Sequence, residues 1–133
     1  MTRPFSTLSV AGAVPFALMA LFTLGACSSS STDPIVCDAS ARAGITVTIK
    51  DAETMAPLAA NARGVVRDGA YVDSLTLTGP DSRAAAYERA GTYSVEVRLT
   101  GYQNFNTSGV RVTVGTCHVN AQVVSAVLLK VRS

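Results

Sequence analysis

Three cysteines and a single histidine are the first residues of this 133-residue chain to consider as a thiolate nucleophile or as metal ligands. Cys117 and His118 are adjacent, and a Cys-His pair can form a thiolate nucleophile or part of a metal site. Neighbours along a β-strand point to opposite faces, however, and one cysteine with one histidine cannot complete a structural zinc site. We therefore predict no catalytic residue, no metal and no cofactor, and we place His118 on the surface.

The first cysteine, Cys27, ends an apolar amino-terminal segment. Arg3 and the amino terminus supply positive charge, and the 17 residues from Leu8 to Leu24 include no charged side chain. A basic start, an apolar run and small residues after it are typical of a cleaved signal peptide. A membrane-spanning helix is the alternative, but it needs about 20 apolar residues, which is more than this run with Pro15 inside it provides.

The residues at the expected cleavage site, Leu24-Gly25-Ala26-Cys27, resemble the lipobox of bacterial lipoproteins. The resemblance implies a diacylglyceryl thioether on Cys27, cleavage before it, and acylation of the new amino terminus, with palmitate as the expected chain. Two or more acyl chains anchor a protein stably, whereas one does not. Ser28 after the cysteine implies export to the outer membrane of a double-membraned bacterium. An ordinary secretory signal, with Cys27 free or disulfide-bonded, is the alternative.

The composition changes after Cys27. Ser28–Ser31 have no apolar period and are typical of a flexible tether. We therefore divide the chain into a lipoprotein signal peptide at 1–26, a tether at 27–43 and a β domain at 44–133, which is long enough for one core. Residues 27–133 carry ten Lys and Arg and nine Asp and Glu. This near-neutral balance argues against nucleic acid and acidic substrates as partners.

Cys37 and Cys117 are the two cysteines that remain once Cys27 is acylated. In an exported protein two such thiols are expected to pair, although two free thiols are the alternative. On the chain-entropy account, a disulfide that closes a loop of about 80 residues stabilises a fold by about 4 kcal/mol. The sequence therefore predicts a Cys37–Cys117 disulfide.

Apolar residues at every second position predict β-strands through the domain. In the two clearest strands the inward residues are Ile45, Val47 and Ile49, and then Tyr93, Val95, Val97 and Leu99. In the last strand the alternation changes phase, which predicts a β-bulge near Val123–Val124. Asp68-Gly69 lies between two β-prone runs and predicts a type I′ hairpin turn.

The stretch SRAAAYERA from Ser82 could form a helical turn by propensity, but turn signals on both sides favour a short strand. The chain then has seven short strands separated by turn residues. We predict an all-β fold, a seven-stranded immunoglobulin- or transthyretin-like β-sandwich. If strand direction alternates at each connection, the first and last strands run parallel, and Cys37 and Cys117 lie at the same end.

Three segments together resemble the carboxypeptidase regulatory-like domain over residues 44–129: ITVTIKDAETMAPLAANA, RAGTYSVEVRLTGYQNF and VTVGTCHVNAQVVSAVLL. The most specific piece is Ala90-Gly91-Thr92-Tyr93, leading to Gly101-Tyr102. The chain departs from the family in its first loop, where Met55-Ala56 replaces the frequent Thr-Gly before Pro-Leu. The resemblance implies a transthyretin-like sandwich common in exported bacterial proteins, and it implies fold better than function.

We predict that the protein is not an enzyme. The transthyretin-like fold includes hydroxyisourate hydrolase, but that resemblance would require several histidines and a Tyr-Arg-Gly-Ser ending, and this chain ends VLLKVRS. We expect a non-catalytic, lipid-anchored binding or structural module of the cell envelope. Its expected partners are the membrane, through the lipid, and an envelope protein or glycan. A glycan- or peptide-binding surface receptor is the alternative.

The segment TGYQNFN is the predicted binding rim, at the end of the sandwich away from the tether. Loops on a rigid scaffold carry binding more often than sheet faces do. The candidate residues in it are Tyr102, Gln103, Asn104 and Phe105. The two aromatic rings could form a sugar-binding platform. Alternatively, Tyr102 caps the core and Phe105 enters a strand.

Overall fold

A computed structural model describes residues 33–132 of the protein, and these residues form nine strands. The strands are β1 (Ala43–Asp51), β2 (Arg63–Asp68), β3 (Tyr71–Ser74), β4 (Thr76–Leu77), β5 (Ser82–Tyr87), β6 (Gly91–Arg98), β7 (Phe105–Val114), β8 (Val119–Asn120) and β9 (Gln122–Leu128). Within the described range no helix is long and apolar enough to cross a membrane. The predicted signal peptide and Cys27 lie outside the described residues.

The strands form two sheets, which confirms the predicted all-β sandwich. One sheet has the order β4-β5-β1-β9 and the other has the order β3-β2-β6-β7-β8. Neighbouring strands are antiparallel except β1 and β9, which run parallel with Ile45 opposite Gln122 and Asp51 opposite Leu128. The prediction that the first and last strands run in the same direction is therefore confirmed.

The core contains the residues that alternate inward along the strands. The largest fully buried side chains are Ile45, Val47, Ile49, Val66, Tyr93, Val95, Val97 and Leu128. Successive side chains of a strand point to opposite faces, and full burial of one such apolar side chain stabilises a fold by about 1.5–3 kcal/mol. The alternation predicted for β1 and β6 is confirmed, with Leu99 partly buried just after β6.

Two of the predicted strands are divided where the chain crosses from one sheet to the other. β3 pairs with β2 while β4 pairs with β5, and the buried Leu75 lies between them. β8 pairs with β7 while β9 pairs with β1, and Ala121 lies between them. The predicted β-bulge at Val123–Val124 is wrong, because the β1–β9 register passes through both residues without a shift. The phase change instead marks the crossing between sheets.

The β2–β3 hairpin is confirmed, but its turn type differs from the prediction. Asp68 pairs with Tyr71, so the two loop residues are Gly69 and Ala70. Of these two, Gly69 alone has a positive φ, at 58°. A type II′ turn places glycine at its first central position, whereas type I′ requires positive φ at both. The hairpin therefore fits type II′.

Residues of the SRAAAYERA stretch form β5, so the expected strand is confirmed over a helix. Near the end of β5, Ala86 has a φ of 56°. Its backbone N–H donates to Asp73 Oδ2 at 2.9 Å. Asp73 interrupts the apolar side of its hairpin arm because its carboxylate accepts this hydrogen bond from the other sheet.

Candidate functional site

The loops after β1, β4 and β6 lie together at the end of the sandwich where β1 ends, which we call the distal end. Lys50 Nζ lies 3.4 Å from Asp81 Oδ2. Tyr102 Oη donates to Asp51 Oδ2 at 2.7 Å. These two contacts join the end of β1 to the other two loops, as the alternating topology predicts.

Asp51 is a buried carboxylate in the middle of the distal end, and its side chain is 3% exposed. Besides Tyr102, the backbone N–H groups of Glu53 and Thr54 donate to it, each at 2.9 Å. The hydrogen bond from Tyr102, followed by that from Thr54, holds the pKa of Asp51 well below its ordinary value. The same contact raises the pKa of Tyr102. Tyr102 thus closes the loops over the core at this carboxylate.

The other residues of the predicted rim do not form one site. Phe105 is partly buried against the core. Gln103 donates its backbone N–H to the carbonyl of Leu129 at 2.8 Å and borders a depression beside the last residues of the chain. Asn104 is exposed and borders a different depression, together with Arg63 and Arg98.

The opposite, proximal end of the sandwich contains the predicted disulfide, which is confirmed. Cys37 and Cys117 are bonded, with their Cα atoms 5.3 Å apart. His118 Nδ1 lies 2.7 Å from Glu88 Oε1, and His118 Nε2 lies 3.3 Å from Asp38 Oδ1. His118 is 20% exposed, so it is more enclosed than the expected surface residue.

Arg42 completes this group of charges, which we call the ionic clasp: Asp38, Arg42, Glu88 and His118. The Arg42 guanidinium donates to Asp38 at 3.1 Å, and its backbone N–H donates to Glu88 at 2.6 Å. The backbone of Arg42, followed by His118, holds the pKa of Glu88 below its ordinary value. The backbone of Ser40, followed by Arg42, does the same for Asp38. No group of His, Cys, Asp and Glu within residues 33–132 is arranged to hold a metal ion.

The outer face of the five-stranded sheet concentrates positive charge. Four exposed arginines occupy outward positions on β2, β6 and β7: Arg63, Arg67, Arg98 and Arg111. The acid at the outward positions of these three strands is Glu96, which forms an ion pair with Arg98. The face therefore carries three uncompensated positive charges on a domain whose total charge is close to zero.

Two adjoining depressions on this face form what we call the arginine groove. The first, of about 450 Å³, is bordered by side chains that include Arg63, Arg67, Ser74, Glu96 and Arg98. The second, of about 290 Å³, is bordered by side chains that include Arg67, Ser94, Glu96, Asn106 and Ser108. Because Arg67 and Glu96 border both, the groove runs across β2, β6 and β7.

Arg63 and Arg98 are direct cross-strand partners in the β2–β6 pair. Like charges placed directly opposite each other in an antiparallel pair are destabilising. Glu96 compensates Arg98, but within the described part of the chain neither Arg63 nor Arg67 forms an ion pair. The groove thus presents two unpaired guanidinium groups at fixed positions of a sheet.

Two other arginines of the domain have a structural role, because their guanidinium groups bind partners on neighbouring segments. Arg83 donates to the carbonyls of Ala59 and Leu75 at 2.7 and 2.9 Å, which ties β5 to two neighbouring segments. Arg89 pairs with Asp68 at 2.8 Å, and its guanidinium lies 3.8 Å from the centre of the Tyr71 ring. Among the described residues, by contrast, Arg63 and Arg67 of the groove have no such partner, and Arg98 pairs only with Glu96 of its own strand.

Sequence reasoning missed the groove because it summed charge over the whole chain. The alternation of β6 already places Arg98 and Glu96 outward, so one signal was present. The cross-strand register that sets Arg63 opposite Arg98 is not readable from either strand alone. A count of charge for each predicted sheet face would have found the excess.

Comparison with known proteins yields little that bears on this groove. No family model matches the chain, and no curated protein matches it. A crystal structure of a candidate carbohydrate-binding protein from Bacteroides uniformis matches with a TM-score of 0.44 at 15% sequence identity. The match covers 65% of this chain, and it spans 40% of that protein's length.

Proposed function

We propose that the protein is an exported, lipid-anchored, non-catalytic β-sandwich module of the cell envelope that binds a partner through the arginine groove. Cys27 would carry the lipid, and the sandwich would be of the carboxypeptidase regulatory-like kind. In a double-membraned bacterium, Ser28 after the lipidated cysteine directs the protein to the outer membrane.

The Cys37–Cys117 disulfide is the observation that carries the export part of this proposal. Disulfides persist in oxidising compartments and are rare in the cytosol. Cys37 follows Cys27 by ten residues, four of which are serines. Ten residues span at most about 33–36 Å even when fully extended, so a lipid on Cys27 would keep the domain close to the membrane.

The arginine groove supports a binding role over a purely structural one. An unpaired arginine opposite another arginine costs stability in a sheet, and natural proteins keep such local conflicts mainly at functional sites. Binding is also favoured over catalysis there, because the carboxylate of Glu96 is already paired with Arg98. A general acid or base needs a carboxyl group that is free to exchange a proton with a substrate.

The anchor can be tested by metabolic labelling with an alkyne-tagged palmitate. We expect the wild-type protein to incorporate the label and Cys27→Ser to incorporate none, because the variant lacks the sulfur that carries the diacylglyceryl group and precedes cleavage and acylation of the amino terminus. Cys37→Ser is the matched control and should keep the label. Equal labelling of wild type and Cys27→Ser would contradict the anchor. Labelling is a better readout than membrane fractionation, since an uncleaved signal peptide can itself hold a protein in the membrane.

A further inference from the structure

We infer that the arginine groove binds an acidic polysaccharide, with carboxylates on Arg63, Arg67 and Arg98 and sugar hydroxyls on the polar residues between them. The inference rests on the proposed function, since it specifies the ligand of the same surface.

The arrangement of the arginines points to carboxylates. A guanidinium is planar and presents its donors in a fork that matches a carboxylate, so the contact is specific in geometry as well as in charge. Arg63 and Arg67 lie four positions apart on β2 and point to the same side, and Arg98 lies opposite Arg63. Arg98 already has Glu96 as its partner, so a ligand carboxylate on Arg63 would neutralise the cation that is left uncompensated in this cross-strand pair.

The shape and lining of the groove point to a chain of sugars. Between the arginines the groove offers hydroxyl and amide groups, each able to donate and accept hydrogen bonds. They are Ser74, Ser94, Asn106 and Ser108, with Asn104 in the depression beside Arg63. From β3 to β7 the face crosses four strands, a width of roughly 14 Å at the usual strand spacing. That width suits several linked units better than one small anion.

On this face the described residues include no exposed aromatic side chain, which disfavours a neutral sugar as the ligand. The rings of Tyr71, Tyr93 and Phe105, on β3, β6 and β7, are packed into or against the core. The exposed apolar side chain on this side of β3 is Val72, which is 50% exposed. Neutral sugars are commonly held on exposed rings through their apolar faces. This face offers charge and hydrogen bonds instead.

The inference can be tested with full-length, processed protein in a polyoxyethylene detergent, which contains no sugar. The probes are polygalacturonate, the neutral polysaccharide dextran and poly-L-glutamate, each immobilised for affinity measurement. We expect binding to polygalacturonate that weakens with salt, because the contacts are between exposed charges. We expect no binding to dextran and weaker binding to poly-L-glutamate.

Two single arginine variants locate the site. Arg63→Gln should weaken binding to polygalacturonate roughly tenfold, as expected when a charge-assisted contact is lost. Arg111→Gln is the matched control, because it removes the same charge from the same face but Arg111 does not border the groove. We expect it to change affinity by less than about twofold, which is what a distant, solvent-screened charge contributes. Equal losses in both variants would overturn the groove as the site.

A melting measurement separates lost binding from lost folding. Arg63→Gln removes one of two opposed cations, so its Tm should equal or exceed that of the wild type. A lower Tm would contradict the argument from repulsion.

The outcomes also separate this inference from the proposed function. Stronger binding to poly-L-glutamate than to polygalacturonate, through the same arginines, would overturn the polysaccharide as the ligand but would still support a binding module. Binding to none of the probes would overturn the inference, while palmitate labelling reports on the anchor by itself.

Discussion

The two ends of the sandwich are held by different chemistry. At the proximal end, where β1 begins, the Cys37–Cys117 disulfide and the ionic clasp join the residues before β1 to the β5–β6 and β7–β8 connections. At the distal end, where β1 ends, the buried carboxylate of Asp51 collects hydrogen bonds from Tyr102 and from backbone N–H groups. One end is cross-linked and exposed, and the other is buried and hydrogen-bonded.

The difference matches the way the chain enters the sandwich at one end and closes its loops at the other. The chain reaches the proximal end from the segment before Cys37, so a pull on that segment would otherwise start by peeling β1 from β5 and β9. The disulfide transfers such a pull to the β7–β8 turn at Cys117. At the distal end three loops close over the core. The buried carboxylate of Asp51 holds them there by accepting several short hydrogen bonds.

The largest effect is expected from removing the disulfide. Cys37→Ser/Cys117→Ser should lower the free energy of unfolding by about 4 kcal/mol, since the reduced chain regains the entropy of a long loop. Denaturant unfolding of the variant measures the loss, and wild-type protein with reductant should match it. Identical unfolding curves with and without reductant would show that the proximal end does not depend on the cross-link.

A smaller loss is expected at the distal end from Tyr102→Phe. The variant removes one donor to a buried carboxylate but leaves the two backbone donors in place, so Tm should fall by less than in the disulfide variant. Tyr87→Phe is the matched control, because Tyr87 is an exposed residue of β5. Equal Tm changes in the two tyrosine variants would show that the hydrogen bond from Tyr102 to Asp51 does not stabilise the distal end.

The strands were predictable because one face of each is buried. Alternation identified Ile45, Val47 and Ile49 as core residues, and the structure buries all three. Alternation does not say which sheet a strand joins, so the pattern predicts a bulge at Val123–Val124 where the chain in fact crosses between sheets at Ala121. Alternation with a period of two indicates which residues of a strand are buried, but it does not indicate which strand pairs with it.

The two ends and the groove were predictable to different degrees. Prediction of the disulfide required the number of cysteines and the compartment in which they lie, and both were inferred from the sequence. Asp51 was missed because its donors include backbone groups of a loop, Glu53 and Thr54, whose direction depends on the fold. The arginine groove was missed because pairing of Arg63 with Arg98 exists only after two strands, 35 positions apart in the sequence, are placed side by side.

The smallest effect, and the one that separates the ends most sharply, is expected on acidification. Glu88 has a pKa below its ordinary value of 4.5 in the folded protein. The stabilisation that Glu88 contributes through its carboxylate is therefore present above that value and is lost as pH falls through the lower folded-state pKa. Glu88→Gln should lower Tm slightly at about pH 5, since exposed ion pairs contribute little, and the difference from wild type should shrink towards about pH 3.

The pKa of Asp51 is depressed further than that of Glu88, so the distal end should respond differently over the same range. Asp51 stays ionised at a pH where Glu88 begins to take up its proton, and the Tm difference between wild type and Tyr102→Phe should persist. Asp33→Asn, which changes an acid before β1 and outside the clasp, is the control for a general effect of charge. The opposite result would be a Tm difference that persists on acidification for Glu88→Gln and vanishes for Tyr102→Phe. It would show that Asp51, and not Glu88, takes up its proton first.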